Sequence, residues 1–250
     1  MKPVALLALY AGLAALPALA QNPISVVNVA DFSNRPVAPG SIAAVFGDFS
    51  GTAEASAQET PLPTTLSGVE VLFADQAAPL IFVSETQINL IVPEEIAAGM
   101  QPKAVPVVVR REGGVIAEGE TFLRDISPAI FTRMEEGLPV AAVIGADGEP
   151  VSPDNPAAPE STVSIYATGA GTAVAEDGGE PVETEVRPNV YFGVLPGEVL
   201  FSGFSGAYPG LWQINVTIPE AGAGTVESGV TPILLSLDGV SSQAAVVWLE

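Results

Sequence analysis

The feature that most constrains the fold of this chain is a motif that occurs twice. Residues 87–94 read QINLIVPE, and residues 213–220 read QINVTIPE, which places the second motif 126 positions after the first. The same offset relates 105–109 to 231–235, and an offset of 120 relates 38–41 to 158–161. Because order and spacing persist over most of the chain, the sequence predicts two copies of one fold.

Both copies have the character of β-structure. Short apolar runs are separated by turn residues, since the chain holds 25 glycines and 23 prolines and is 48% hydrophobic. Along 212–217 apolar and polar residues alternate, which favours a strand with one buried face. We therefore predict an all-β fold of two tandem immunoglobulin-like β-sandwich domains related by internal duplication, at 21–126 and 127–250. The only helix expected is a short turn at 94–98.

The first twenty residues have the pattern of a secretory signal peptide. Lys2 precedes a largely apolar run, and an A-x-A sequence ends at Ala20, which predicts cleavage after that residue. No later segment is apolar for long enough to insert into a membrane. The sequence thus predicts a protein that is secreted or periplasmic.

Composition excludes several chemistries. The net charge is −21, so a nucleic-acid partner is not expected, because binding DNA or RNA requires clustered Lys and Arg. The chain has no Cys and no His, which excludes Ser-His-Asp and Cys-His catalysis and the usual zinc sites. We predict a protein that is not an enzyme and has no cofactor or metal site. A calcium site at 147–149, Asp154 and Asn155, or 176–180 is the weaker alternative to turn formation by these residues.

The first candidate for ligand contact is an aromatic segment that the second copy alone contains. Phe204, Tyr208 and Trp212 lie in or beside a glycine-rich insertion within 201–212. If Phe204 and Tyr208 are exposed on this loop, they offer aromatic surface to a glycan or a protein. The alternative is that the larger rings fill the core and the loop folds over one end of the domain.

The second candidate comprises the amides of the repeated motif, Gln87 and Asn89 in the first copy and Gln213 and Asn215 in the second. Alternation places all four on the polar side of their strands. They either bond to adjacent loop backbone or contact a ligand.

Further motifs resemble one known family. They read VAPGSI at 37–42, PLPTTLSGV at 61–69, APLIFVS at 78–84, PAIF at 128–131, IYATG at 165–169 and GLWQINV at 210–216. In this order they are similar to the C-terminal module of secreted proteins from Solibacter and other Acidobacteria. The resemblance implies an extracellular β-sandwich module, and it implies no catalytic residue.

These observations predict a secreted, non-enzymatic module for protein or matrix interaction at the cell exterior, with an unknown protein, matrix or glycan as partner. The alternative is a module that binds a carbohydrate or another small ligand through the 201–212 loop.

Overall fold

Four β-sheets make up the part of the chain that the computed structural model describes, which is residues 22–172, 182–204, 208–220 and 229–250. None of these residues lies in a helix. The predicted signal peptide falls outside the described residues.

The first half, residues 22–125, contains ten strands. They are β1 (Asn22–Pro23), β2 (Ser25–Asn28), β3 (Ile42–Phe46), β4 (Ala55–Ser56), β5 (Val69–Phe73), β6 (Gln76–Ala77), β7 (Leu80–Val83), β8 (Gln87–Ile91), β9 (Lys103–Arg111) and β10 (Gly114–Leu123). Sheet A has the order β1-β10-β9-β5-β6, and sheet B has the order β2-β3-β8-β7-β4.

The second half, residues 126–250, contains thirteen described strands. They are β11 (Ala129–Ile130), β12 (Thr132–Glu135), β13 (Leu138–Ala141), β14 (Val143–Ile144), β15 (Thr162–Thr168), β16 (Val182–Glu183), β17 (Asn189–Phe192), β18 (Leu195–Pro196), β19 (Glu198–Phe204), β20 (Trp212–Thr217), β21 (Gly229–Leu237), β22 (Val240–Ser241) and β23 (Ala245–Leu249). Sheet C has the order β11-β15-β20-β19-β16, with β14 also on β15. Sheet D has the order β12-β13-β23-β21-β17-β18, with β22 on β21.

Each half has its own cluster of buried apolar side chains. The described members of the first cluster lie between Val26 and Leu123, and those of the second lie between Ile126 and Leu249. In β20 and β23 buried residues alternate with half-buried ones, and in β20 the buried residues are Trp212, Ile214 and Val216. The chain is thus an all-β protein built of immunoglobulin-like β-sandwiches.

The two halves share their strand order and also their irregularities. Strand β7 is bulged at Ile81 against β8, and β19 is bulged at Leu200 against β20. Isolated parallel bridges join Val37 to Leu123 in the first half and Ala157 to Leu249 in the second. The bulged residues of the two halves are 119 positions apart, and the bridged residues are 120 and 126 positions apart. These separations are close to those of the sequence motifs, so the strand pairing is repeated in the same order as the motifs.

The helical turn expected at 94–98 is wrong. These residues form a turn at Glu94 and Glu95 and then run without regular structure. Pro93 precedes the segment and Gly99 follows it, so too few residues remain to offset the cost of nucleating a helix. Among the described residues, no helix of membrane-spanning length and apolarity occurs.

Candidate functional site

The repeated amides pair with each other on the outward sides of sheets B and C. In β8 the Gln87 Nε2 donates to Asn89 Oδ1 over 2.8 Å. In β20 the Gln213 Nε2 donates to Asn215 Oδ1 over 2.8 Å, and Ser164 Oγ donates to the same oxygen over 2.9 Å. In both halves the Gln side chain therefore bonds to the Asn side chain two residues later in the same strand, and not to adjacent loop backbone as one interpretation of the sequence predicted. All four amides are half-buried, so part of each side chain still reaches solvent.

Aromatic rings flank the amides in both halves at equivalent positions. On sheet C, Gln213 pairs in register with Tyr166, and Asn215 pairs with Phe201. A Cβ at Gly203 would lie only 2.6 Å from the Phe201 ring, which places the ring over this glycine. On sheet B, Phe46 pairs with Gln87 and Phe82 pairs with Asn89. Each outward side thus combines two rings with an amide pair, and we call it the amide–aromatic face of its sheet.

The second-copy aromatic segment divides between core and surface. Trp212 is completely buried, and its indole Nε1 donates to Ser202 Oγ over 2.9 Å. Phe204 pairs with Trp212 across adjacent strands and is only 9% exposed, so the exposure expected for Phe204 is wrong. Its ring points to the same inner side of sheet C as Trp212, where apolar contact is more favourable than hydration. Tyr208, in contrast, is 66% exposed. Residues 205–207 of this segment lie outside the described residues.

Tyr208 stands at a cleft between the two halves. The cleft has a volume of about 410 Å³. From the second half it is lined by Tyr208, Pro209 and Leu211, and from the first half by Ile42, Ala57, Gln58, Glu59, Thr60, Leu62 and Ile81. Glu59 is the charged member of this set. Leu211, the last residue of the lining, immediately precedes β20.

A buried threonine and a glycine hold the two sides of the cleft together. Thr168 Oγ1 accepts a hydrogen bond from the Ile42 backbone N–H over 3.0 Å and donates to the Gly210 carbonyl oxygen over 2.8 Å. Gly210 has a φ of +76°, and a Cβ there would lie 2.7 Å from Ile42 Cγ1 and 3.0 Å from the Gly40 oxygen. The loop that carries Tyr208 can approach the first half this closely because residue 210 has no side chain.

The loop acids considered as calcium ligands close a turn instead. Asp147 Oδ1 accepts from the Glu149 backbone N–H over 3.0 Å, and its Oδ2 accepts from Asn155 Nδ2 over 3.1 Å. These hydrogen bonds lower the pKa of Asp147. In the described ranges no three acidic side chains come together in a way that suits a metal ion. The acids at 176–180 lie outside those ranges.

Two further carboxyl groups have shifted pKa values. Hydrogen bonds from the Ser50 side chain and backbone lower the pKa of Asp48. Partial burial, followed by repulsion from Glu95, raises the pKa of Glu94. Neither group belongs to the lining of the cleft.

The residues of the cleft that come from the first half were missed by the sequence analysis. Ile42, Leu62 and Ile81 have the pattern of ordinary strand and loop residues, and nothing in the sequence brings them to 208–211. The motif at 61–69, which contains Leu62, resembles a known family, but nothing in it predicts contact with the second half.

No family model matches the sequence, and no curated protein matches it. Among solved structures the chain is similar to a γ-CGTase from Alkalophilic bacillus clarkii, with 16% identity over 85% of this chain and 23% of that one, at a TM-score of 0.30. It is similar to SGBP-B of a Bacteroides ovatus mixed-linkage glucan utilization locus, with 11% identity over 87% and 43% and a TM-score of 0.36. It is also similar to invasin, a bacterial integrin-binding protein, with 14% identity over 91% and 38% and a TM-score of 0.22. The chain spans less than half the length of each of these proteins, and the likeness concerns the fold alone.

Proposed function

We propose that this chain is a non-enzymatic interaction module that works outside the cytoplasm by binding a protein or matrix partner. The observation that carries the proposal is the cleft at the junction, to which both halves contribute apolar side chains beside the exposed Tyr208. Concave apolar pockets with a few polar groups are the usual form of a binding site. An exposed tyrosine at such a pocket is typical of residues that contribute most to protein–protein affinity.

The charge of the cleft indicates the kind of partner. Glu59 lies in the lining, and the whole chain carries a net charge of −21. A partner segment that places an aliphatic or aromatic side chain in the cleft and a Lys or Arg beside Glu59 complements both features. Electrostatic attraction to such a segment increases the association rate, and salt weakens it.

A variant of Tyr208 tests this function. Residues 21–250 are immobilised and incubated with native envelope and culture-fluid fractions. The proteins that they retain are then quantified by mass spectrometry. We expect Tyr208→Ala to reduce recovery of the partner roughly tenfold, the loss typical of an aromatic interface residue. Phe122→Ala is the matched control, because Phe122 is also an exposed aromatic, 49% exposed, on sheet A outside the cleft. Equal recovery with both variants, or no partner above background, would contradict the proposal.

Carbohydrate binding is the second candidate, and the amide–aromatic face of sheet C favours it. The Phe201 ring and Tyr166 lie beside the Gln213–Asn215 amide pair, and sugar recognition commonly combines ring stacking with amide hydrogen bonds. We expect the unaltered chain to give a binding signal on a glycan array. The double variant with Gln213→Ala and Tyr166→Ala is expected to lose that signal. The equivalent variant in the first half, Gln87→Ala with Phe46→Ala, measures whether sheet B contributes. No glycan signal from the unaltered chain argues against this candidate.

Membership of the acidobacterial module family is part of the same proposal. Its support is the order of the motifs from 37–42 to 210–216, several of which contribute to the features described above: Ile42, Leu62 and Ile81 line the cleft, and Gly210 permits the close approach of the two halves. Export of the chain by a cleaved signal peptide is likewise proposed, and N-terminal sequencing of the protein recovered outside the cytoplasm tests it, with Gln21 expected as the first residue.

A further inference from the structure

Phe32 has a backbone conformation that is unusual for an aromatic residue. Its φ is +54°, whereas the other described residues that have a side chain and a positive φ are small or polar. A bulky side chain is strained in this left-handed region. The residue is 56% exposed, so its burial offsets little of the strain. Strain that the fold retains without burying the residue points to a functional role for the ring.

Hydrogen bonds hold the loop that carries Phe32 in this conformation. The Phe32 N–H donates to the Asn28 carbonyl oxygen over 2.8 Å, and the Asn28 N–H donates to the Ser33 carbonyl oxygen over 3.1 Å. The second half braces the same loop, since the Ala30 carbonyl oxygen accepts from the Thr132 N–H over 3.0 Å and from its hydroxyl over 3.2 Å. The ring is therefore positioned before any ligand arrives, which reduces the entropy that binding would cost.

The Phe32 ring extends the amide–aromatic face of sheet B. Its centroid lies 6.3 Å from that of Phe46, and the two ring planes are tilted by 45°. Val45 belongs to the buried cluster of the first half, so Phe46, the next residue on β3, points to the outward side of the sheet. Phe82 is on β7, two strand spacings or about 10 Å from β3, with β8 between them. Rings thus flank the amide pair of β8 on both sides.

The amide pair has an acceptor and a donor that the protein does not use. Gln87 Nε2 donates to Asn89 Oδ1, but no described protein group bonds to Gln87 Oε1 or to Asn89 Nδ2. Neither of these two atoms is buried. A sugar hydroxyl both donates and accepts hydrogen bonds, so it complements this pair of atoms. The apolar C–H side of the same sugar can pack against an aromatic ring beside the amides.

Charge distinguishes between classes of polysaccharide. The five strands of sheet B contain no Asp, Glu, Lys or Arg, although the whole chain has 29 acidic and 8 basic residues. An anionic polysaccharide would be repelled by the net charge of −21 and would find no cation on these strands. A neutral polysaccharide has neither cost. The tilt of the two rings also matters, because rings inclined by 45° cannot both lie flat on the planar surface of a crystalline polysaccharide. The geometry suits a single soluble chain.

Sheet C has a smaller version of this face. Tyr166 and Phe201 correspond to Phe46 and Phe82, at offsets of 120 and 119. At the offset of 120 the residue that corresponds to Phe32 is Ser152, which has no ring. The face of sheet B therefore has one more ring than that of sheet C.

We propose that the amide–aromatic face of sheet B, extended by Phe32, binds a single chain of a neutral polysaccharide. The inference rests on the carbohydrate-binding candidate described above, and it adds a second face and the class of ligand. None of the five residues of the extended face lines the cleft, so a protein partner at Tyr208 uses a different surface.

Affinity electrophoresis of residues 21–250 tests this inference. The acidic chain migrates through native gels that contain hydroxyethylcellulose, glucomannan or arabinoxylan, which are neutral and soluble. We expect at least one of these polysaccharides to retard the chain. Gels that contain alginate or polygalacturonate, which are anionic, are expected to leave its migration unchanged.

Variants of the rings locate the binding site. Phe32→Asn and Phe82→Ala are each expected to weaken binding about tenfold, the effect of losing one aromatic contact. Phe122→Ala, the exposed aromatic of sheet A, is the matched control and is expected to bind as the unaltered chain does. Asn tolerates the left-handed conformation, so Phe32→Asn is expected to unfold at the same or a higher urea concentration. Binding lost with stability kept is a result that a purely structural role for Phe32 would not give.

The sheet C variant, Gln213→Ala with Tyr166→Ala, separates this inference from the candidate on which it rests. If Phe32→Asn and Phe82→Ala lose the retardation, sheet B binds the polysaccharide, whatever the sheet C variant does. If only the sheet C variant loses it, the inference is wrong and the carbohydrate candidate stands. Absence of retardation by every neutral polysaccharide overturns both. If Phe32→Asn instead reduces recovery of a protein partner as Tyr208→Ala does, the face belongs to a protein interface, and the inference is wrong.

Discussion

Glu160 has a backbone conformation that suits glycine better than any residue with a side chain. Its φ is +62°, and at the equivalent position of the first half Gly40 has a φ of +76°. Both residues precede the first long strand of their half, and both backbone N–H groups donate to a carbonyl within the repeated motif, Gly40 to Val92 and Glu160 to Ile218. The fold thus requires a left-handed backbone conformation at this position. In the second half Glu160 adopts it, although this conformation is strained for a residue that has a side chain.

Replacing Glu160 by glycine is expected to stabilise the chain by about 0.5–1 kcal/mol, because glycine has no penalty at this φ and loses only some additional chain entropy on folding. The measurement is the free energy of unfolding in urea. Glu160→Ala is the control, since it removes the exposed carboxylate and keeps the strain. If Glu160→Gly is no more stable than Glu160→Ala, the strain at this position is negligible.

The elements that could be predicted from sequence are the long ones. Strand β20 spans Trp212–Thr217, which coincides with the alternating segment at 212–217 that predicted it. Two-residue edge strands such as β4 and β16 could not be predicted, because two residues are too few to display an alternation. The cleft could not be predicted for a different reason: it joins residues more than 100 positions apart through tertiary contacts alone.

The end of β15 is the element that decides the geometry of the cleft. Thr168 is completely buried, and its hydroxyl bonds to both the first half and the Tyr208 loop. Thr168→Val keeps the shape and removes these bonds, which leaves the Ile42 N–H and the Gly210 carbonyl without this partner. We expect a loss of roughly 1–3 kcal/mol in the free energy of unfolding, the usual cost of a buried unsatisfied group.

Thr162→Val is the matched control, because Thr162 begins the same strand, is half-buried, and makes only a 3.4 Å contact with the Thr217 hydroxyl. Its expected effect is below about 0.5 kcal/mol, as for most surface substitutions. Equal losses for the two variants would mean that the Thr168 hydroxyl does not hold the junction together.

At the scale of the whole molecule, the acidity and the absence of cysteine act together. With 29 acidic and 8 basic residues and no disulfide, each half is stabilised by its apolar core against its own charge repulsion. Few ion pairs compensate, since those found in the described part of the chain are Arg110–Glu70, Arg133–Glu135 and Arg187–Glu183, all at the surface. Surface pairs of this kind contribute little to stability. Added salt is therefore expected to stabilise the fold.

The separation of the two buried clusters predicts that each half folds by itself. The clusters share no described residue, and chains of slightly more than one hundred residues bury enough surface to fold without disulfides. We expect residues 21–125 and 126–250, expressed separately, to show β-type circular dichroism and cooperative urea unfolding. Each half loses the junction contacts at Ile42 and Thr168, so each is expected to unfold at a lower urea concentration than the intact chain does.

If either half proves unfolded while the intact chain is folded, its core depends on the other half, and the duplication has produced a single cooperative unit. If instead both halves fold and the intact chain unfolds no later than the weaker half, the junction contributes no stability, and its close packing serves the shape of the cleft alone.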